Sequence, residues 1–138
     1  MNVTYREGFA AGEFIALANR VWRKDYDEVR IAEALTRTIN IGARDEERLV
    51  GTVRVLTDGF LFATVPEILV DPDFQHRGIG RALMRLAVSR APRGVLFFGV
   101  QPQSVGFFER IGCVRGPMGF VMRATHGSDG DDDRSLVP

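Results

Sequence analysis

The stretch Gln75-His76-Arg77-Gly78-Ile79-Gly80-Arg81 carries the residue types in this chain best suited to chemistry. It follows an apolar run, Ile68-Leu69-Val70, and a turn, Asp71-Pro72-Asp73. From Arg81 to Val88 the chain is then apolar at helical spacing. Two glycines let the backbone turn tightly and leave space beside it. The first amides of a helix lack internal partners and carry the positive end of its dipole, so they suit a phosphate. Arg77 and Arg81 add positive charge at the same mouth. The chemistry expected here is the holding of a phosphate-bearing ligand. The alternative is a glycine-bearing turn that only starts a helix.

Exclusion narrows the ligand. A Walker loop requires G-x-x-x-x-G-K-S/T, and neither the spacing nor the lysine is present. The dinucleotide fingerprint would place Gly or Ala at position 83, which is Leu83. What matches is Q/R-x-x-G-x-G/A after an apolar strand and a proline-containing turn. Over Pro66 to Met84 the chain resembles the coenzyme A-binding motif of the GNAT superfamily of acetyl-coenzyme A-dependent N-acetyltransferases. The resemblance implies acetyl-coenzyme A as co-substrate, bound by Ile68, Leu69, Val70, Gln75, His76, Arg77, Gly78, Ile79, Gly80 and Arg81. It also implies that the Val70 backbone amide polarises the thioester carbonyl.

A weaker likeness lies in Ser104 to Gly112, which is similar to the family's A-x-x-F-Y-x-x-x-G-F segment. It implies that Ser104, Phe107 and Phe108 flank the pantetheine arm and thioester. Phe108 stands where the family has a tyrosine, often the general acid for the leaving thiolate, and Cys113 where it has a phenylalanine. Leu49-Val50-Gly51 with Arg54 is similar to the family's L-V-G strand. Thr36 to Ala43 and Asp58-Gly59 are similar to a branch that acetylates small aryl- or alkylamines.

Attack of an amine on a thioester needs a neutral nitrogen, and a lysine-like amine has a pKa of ~10.4. Glu67, three residues before Val70, is the only acid on the central strand and a possible general base. Otherwise it faces solvent or pairs with Arg54 on the neighbouring strand. The family's commonest base position lies nearer Thr64, which cannot serve. No general acid can be named. Ser104 or Cys113 could donate a proton, or the thiolate could leave unassisted. Trp22 and Tyr26 are candidate acceptor-site residues, because the link between the first two helices overhangs that site in the family. Asp25, Asp27 and Glu28 beside them would suit a cationic amine. His76 is read as a loop residue facing solvent or phosphate, and Cys113 as a small buried apolar residue. No metal site is expected.

The elements that must position these residues follow from periodicity. A strand is predicted at Val3 to Arg6, and helices at Ala10 to Arg23 and Glu28 to Arg37, with Asp27 as N-cap. The first helix turns Phe14, Ile15, Ala18, Val21 and Trp22 inward, and the second Val29, Ala32, Leu35 and Thr36. Strands are predicted at Ile39 to Ala43, Leu49 to Leu56 and Phe60 to Val70, the last two joined by an Asp58-Gly59 hairpin turn. A helix over Gly78 to Ala91, a covered strand over Gly94 to Val100, a helix over Pro102 to Ile111 and a strand over Met118 to Arg123 complete the pattern. This order, β-α-α-β-β-β-α-β-α-β, is that of the GNAT fold: α/β of the α+β type, a mixed central sheet flanked by helices. Divergence of the Phe60 to Val70 strand from Gly94 to Val100 would open a slot for the pantetheine.

Composition sets the outer bounds. The chain has 138 residues, 45% apolar and 26% charged, ordinary for one globular domain. That domain is expected over residues 1 to 124, followed by an acidic, flexible tail over 125 to 138. Residues 1 to 124 hold 17 basic and 14 acidic side chains, too weak an excess to argue for nucleic acid. No apolar run reaches membrane-spanning length. No signal peptide is visible, and a single cysteine points to a reducing compartment, so a cytoplasmic protein is expected. The family resemblance adds a possible homodimer. Together these readings predict an N-acetyltransferase acting on a small primary amine of arylalkylamine or polyamine type. The alternatives are an acyl-coenzyme A sensing domain with little turnover and an acetyltransferase of protein N-termini or lysines.

Overall fold

Two long strands of mostly buried residues, Ile39–Asp45 and Arg48–Thr57, form the centre of the fold. In the computed structural model, which describes residues 2–124, the elements are β1 (Val3–Glu7), α1 (Ala11–Val21), α2 (Glu28–Leu35), β2 (Ile39–Asp45), β3 (Arg48–Thr57), β4 (Ala63–Thr64), β5 (Ile68–Val70), α3 (Ile79–Val88) and α4 (Val105–Arg110). The sheet runs β1-β2-β3-β4, with β5 also paired to β3, and every ladder between named strands is antiparallel. The described chain divides into two compact units between Phe98 and Gly99.

In the first unit the helices take opposite faces of the sheet. Adjacent strand residues point to opposite sides. A Cβ on Gly51 would meet Ile79 and Leu83 of α3, whereas one on Gly42, paired to Thr52, would meet Leu49 and Phe9. Phe9 stacks on Phe14 of α1 at 5.9 Å. On that face Phe14, Leu17, Ala18, Leu49 and Leu69 form a buried cluster. Each large side chain so buried contributes ~1.5–3 kcal/mol. Asp27 caps α2 through its side chain, accepting from the Arg30 amide at 3.1 Å. Glu13 ties the start of α1 to β2: its carboxylate accepts from Arg44 at 2.6 and 3.1 Å. The Arg44 bond, then the Ala10 amide, hold the Glu13 carboxyl at about 2.

Several expectations are corrected. α2 turns Ile31 and Leu35 inward, while Val29 is 75% exposed. The strand expected from Phe60 begins only at Ala63, because Asp58 accepts the amides of Phe60, Leu61 and Phe62 and curls the loop. The chain over 94–100 makes no continuous strand: Arg93 and Gly94 take positive φ, and Phe97 alone bridges, in parallel, to Thr64. In the second unit, residues 118–123 join no ladder among the described residues, and Met118, Phe120 and Met122 are 85–97% exposed. Apolar composition makes a strand only where an edge receives it. The expected tail over 125–138 lies outside the described residues.

Thr52 gives a stability prediction. Its side chain is fully buried in β3 and Oγ1 has no partner among the described residues. An unsatisfied buried hydroxyl costs ~1–3 kcal/mol. Thr52→Val should therefore raise the urea midpoint, by ~1 kcal/mol in stability, at unchanged m-value. A lower midpoint would show that the hydroxyl is satisfied in solution.

Candidate active site

The glycine loop is built as its sequence requires. Gly78 takes φ +82° and ψ +4° as the N-cap of α3, a left-handed conformation open to glycine at little cost, and among the described residues no side chain caps the helix. Among the described residues, the amides of the first turn thus have no side-chain acceptor. His76 also stands at positive φ, +63°, uncommon outside glycine. Gln75, His76, Arg77 and Gly78 are exposed, while Ile79 is buried and anchors the loop beneath. An exposed, left-handed turn beside two arginines fits a diphosphate.

The end of β5 faces the same region. The Asp71 amide donates to the Val50 carbonyl at 2.8 Å, and the Arg54 amide to the Glu67 carbonyl at 3.3 Å. Antiparallel pairs alternate between bonded and non-bonded, so Gly51 and Val70, paired between them, exchange no hydrogen bond. The Val70 N–H therefore points away from β3. Gln75 Nε2 donates to the Val70 carbonyl at 3.2 Å and ties the loop to the strand end. Between β4 and β5 the ladder shifts: from Thr64 to Glu67 the chain advances three residues while β3 advances two, from Leu56 to Arg54. Val65 and Pro66 form this bulge, where proline has no amide to give. Phe97 pairs with Thr64, donating to the Ala63 carbonyl at 3.0 Å, just before the bulge.

Glu67 does not present a free carboxylate. It is buried, and both of its oxygens accept from Arg54, Oε2 from Nη2 at 2.9 Å and Oε1 from Nε. Pairing with Arg54, the alternative read from the sequence, is the geometry found. Tyr26 and Trp22 are half-buried and pack against the α1-face cluster that contains Leu69. The Tyr26 hydroxyl donates to the Trp22 carbonyl at 2.7 Å. Burial, and then the Glu67 charge, raise the Tyr26 phenol above its ordinary value. Glu67, Trp22 and Tyr26 are thus gathered where α1 leads to α2, beside β5.

In the second unit, Ser104 precedes α4, Phe108 is its buried residue, and Phe107 meets Phe108 edge-on at 5.0 Å. Burial pushes the Cys113 thiol up, away from the thiolate a nucleophile needs. Sequence reasoning did not single out Arg20, Arg48, Asp71 and Phe74, which brace the loop from beneath. Asp71 lies in the turn already noted, but its arginine partners are 51 and 23 residues distant and leave no local signal.

Residues 7–113 match the model of the Acetyltransferase (GNAT) family. An uncharacterized N-acetyltransferase ycf52 of Porphyra purpurea is 28% identical over 75 residues, which are 52% of this chain and 43% of that protein. A protein named histone acetyltransferase TAP1, of Glycine max, is 32% identical over 79 residues, 54% of this chain and 34% of the relative. This chain thus matches under half the length of these curated relatives. The structure superposes on a GNAT family acetyltransferase, SP0256 of Streptococcus pneumoniae, with a TM-score of 0.71 and 22% identity, covering 89% of this chain and 98% of that one. That likeness is one of fold.

Proposed function

Because this chain belongs to the GNAT acetyltransferase family, we propose that it transfers the acetyl group of acetyl-coenzyme A to a small primary amine. The observation that carries the reading is the left-handed α3 start at Gly78, without a side-chain cap among the described residues, set beside a Val70 amide that points out of its ladder. In this reading Gly78, Ile79, Gly80 and the arginines Arg77 and Arg81 hold the diphosphate. The Val70 N–H carries charge that develops on the thioester oxygen. The amine nitrogen bonds to the carbonyl carbon, the carbon–sulfur bond breaks, and the sulfur departs as thiolate. Since Arg54 engages Glu67, the amine gives its proton to water, and Glu67 acts through position. The exposed acids Asp25, Asp27 and Glu28 around Trp22 and Tyr26 favour a cationic amine of arylalkylamine or polyamine type.

A second reading, transfer to a protein lysine or N-terminus, draws on the relative named a histone acetyltransferase. A third, a sensing domain with little turnover, draws on Phe108 in the tyrosine position and on the engaged Glu67. Thiol release in the presence of small amines or of peptides separates the three.

The coenzyme site is tested by calorimetry with Gly80→Glu. A carboxylate in the first turn competes with phosphate for the same amides, so acetyl-coenzyme A should bind about 100-fold more weakly, ~2.7 kcal/mol. The same change adds helix propensity and a favourable charge–dipole contact, so the melting temperature should hold or rise. Equal affinity in both proteins would remove the loop from the coenzyme site.

A further inference from the structure

The turn between β5 and the glycine loop is held by a buried carboxylate. Asp71 is 1% exposed. Arg20 of α1 donates to it from Nε at 3.1 Å and from Nη2 at 2.9 Å, and Arg48 of β3 donates from Nη2 at 2.8 Å. Oδ1 also accepts the Asp73 amide at 2.9 Å, and Arg20 reaches on to Asp73 Oδ2 at 2.7 Å. The Asp71 backbone closes both sides of the corner, donating to Val50 and accepting from Phe74, each at 2.8 Å. Beyond it, the guanidinium groups of Arg48 and Arg77 lie over the Phe74 ring, 5.8 and 5.3 Å from its centroid. Contacts thus run unbroken from α1 and β3 to Arg77 in the loop. Burial would raise the Asp71 carboxyl, but Arg20, the Asp73 amide and Arg48 outweigh it and hold it below the usual range.

A buried ion pair is a poor source of net stability, because desolvation offsets most of the attraction. What a bidentate arginine supplies is direction. Asp71 fixes the angle at which the chain leaves β5, seven residues before Gly78. We propose that Asp71, held by Arg20 and Arg48, is the positioning residue of the phosphate loop, a role that rests on the coenzyme reading above. Neither arginine touches the coenzyme in this role. They act by keeping the Gly78 and Gly80 amides aimed, because a hydrogen bond weakens steeply as its angle closes.

Arg20→Met removes one jaw from a side chain 43% exposed. Acetyl-coenzyme A should then bind about tenfold more weakly by calorimetry, the effect of losing roughly one hydrogen bond to a charged phosphate, with the melting temperature little changed. Arg20→Lys should recover only part of the affinity, because an ammonium lacks the planar fork. Should Arg20→Met fail to fold, Arg48→Met, at a side chain 58% exposed, provides the same measurement. A lowered melting temperature with unchanged affinity would make the contact merely structural and overturn the proposal. If the unaltered protein binds no acetyl-coenzyme A, the coenzyme reading itself falls, and this role with it.

Discussion

Glu67→Gln is expected to destabilise the protein by ~3–5 kcal/mol while changing turnover of the folded enzyme less than tenfold. The stability effect follows from what remains behind. Glu67 is 2% and Arg54 15% exposed at the side chain, so glutamine leaves a guanidinium with little water and one neutral acceptor. Its amide NH2 would also face a donor. Because Arg54 keeps some access to solvent, the low end of the range is expected. Arg54→Met with Glu67→Leu removes both charges together and should restore most of the loss, as apolar replacement of a buried pair commonly does. The kinetic effect follows from proton traffic. A general base contributes ~10²–10⁴-fold, so a loss of 100-fold in kcat by fully folded Glu67→Gln would make Glu67 the base after all. Without an enzyme base, kcat/KM should rise about tenfold per pH unit below the amine pKa, in both proteins, as the neutral amine fraction does.

The Arg54–Glu67 pairing was legible because the sequence puts the two residues on strands predicted to be joined by one turn, and an acid on a sheet face needs a cation nearby. The geometry of the glycine turn was legible for a similar reason: Gly78 and its flanking strand and helix are contiguous, so one window of sequence holds the left-handed turn and the helix start. Asp27 likewise caps α2 within three residues of its donor, the Arg30 amide. What stayed hidden depends on distance. Arg20 lies 51 residues from Asp71 and reads simply as the polar face of a helix. The bulge at Val65 and Pro66 had a local sign in the proline, yet only the register with β3 shows that one residue is extra. The apolar runs at 94–100 and 118–123 show the opposite failure. Their composition suits a strand, but whether a strand forms depends on a partner edge that no window contains. On α2 the inward face was misplaced because Val29 and Ala32 share a helical spacing as good as that of Ile31 and Leu35.

Gly51→Val is expected to cost ~3 kcal/mol, the upper part of the overpacking range, and to weaken acetyl-coenzyme A binding at the same time. Gly51 sits in β3 opposite Val70, and a Cβ built there lies 3.0 Å from Ile79 Cγ2, 3.2 Å from Leu83 Cδ1 and 3.3 Å from Ala43 Cβ. Alanine would already be tight, and valine adds two further methyl groups. β3 is held by β2 on one side and β5 on the other, so the yielding element is α3. Ile79 opens α3 next to Gly78, and a helix pushed off the sheet carries its first-turn amides with it. The loss of affinity thus comes from packing on the far side of the loop, with every loop residue unchanged. Space can be returned from the other partner. Leu83→Ala alone should cost ~2–5 kcal/mol, since Leu83 is fully buried. Combined with Gly51→Val, the cavity and the added methyls occupy one volume, so the double variant should lose less than the sum by ~1 kcal/mol or more. Additive losses in a urea-denaturation cycle would mean that the sheet, and not α3, gives way at Gly51. Affinity in the double variant decides the functional half: recovery toward the unaltered protein follows if the seating of α3 on Gly51 is what aims the loop.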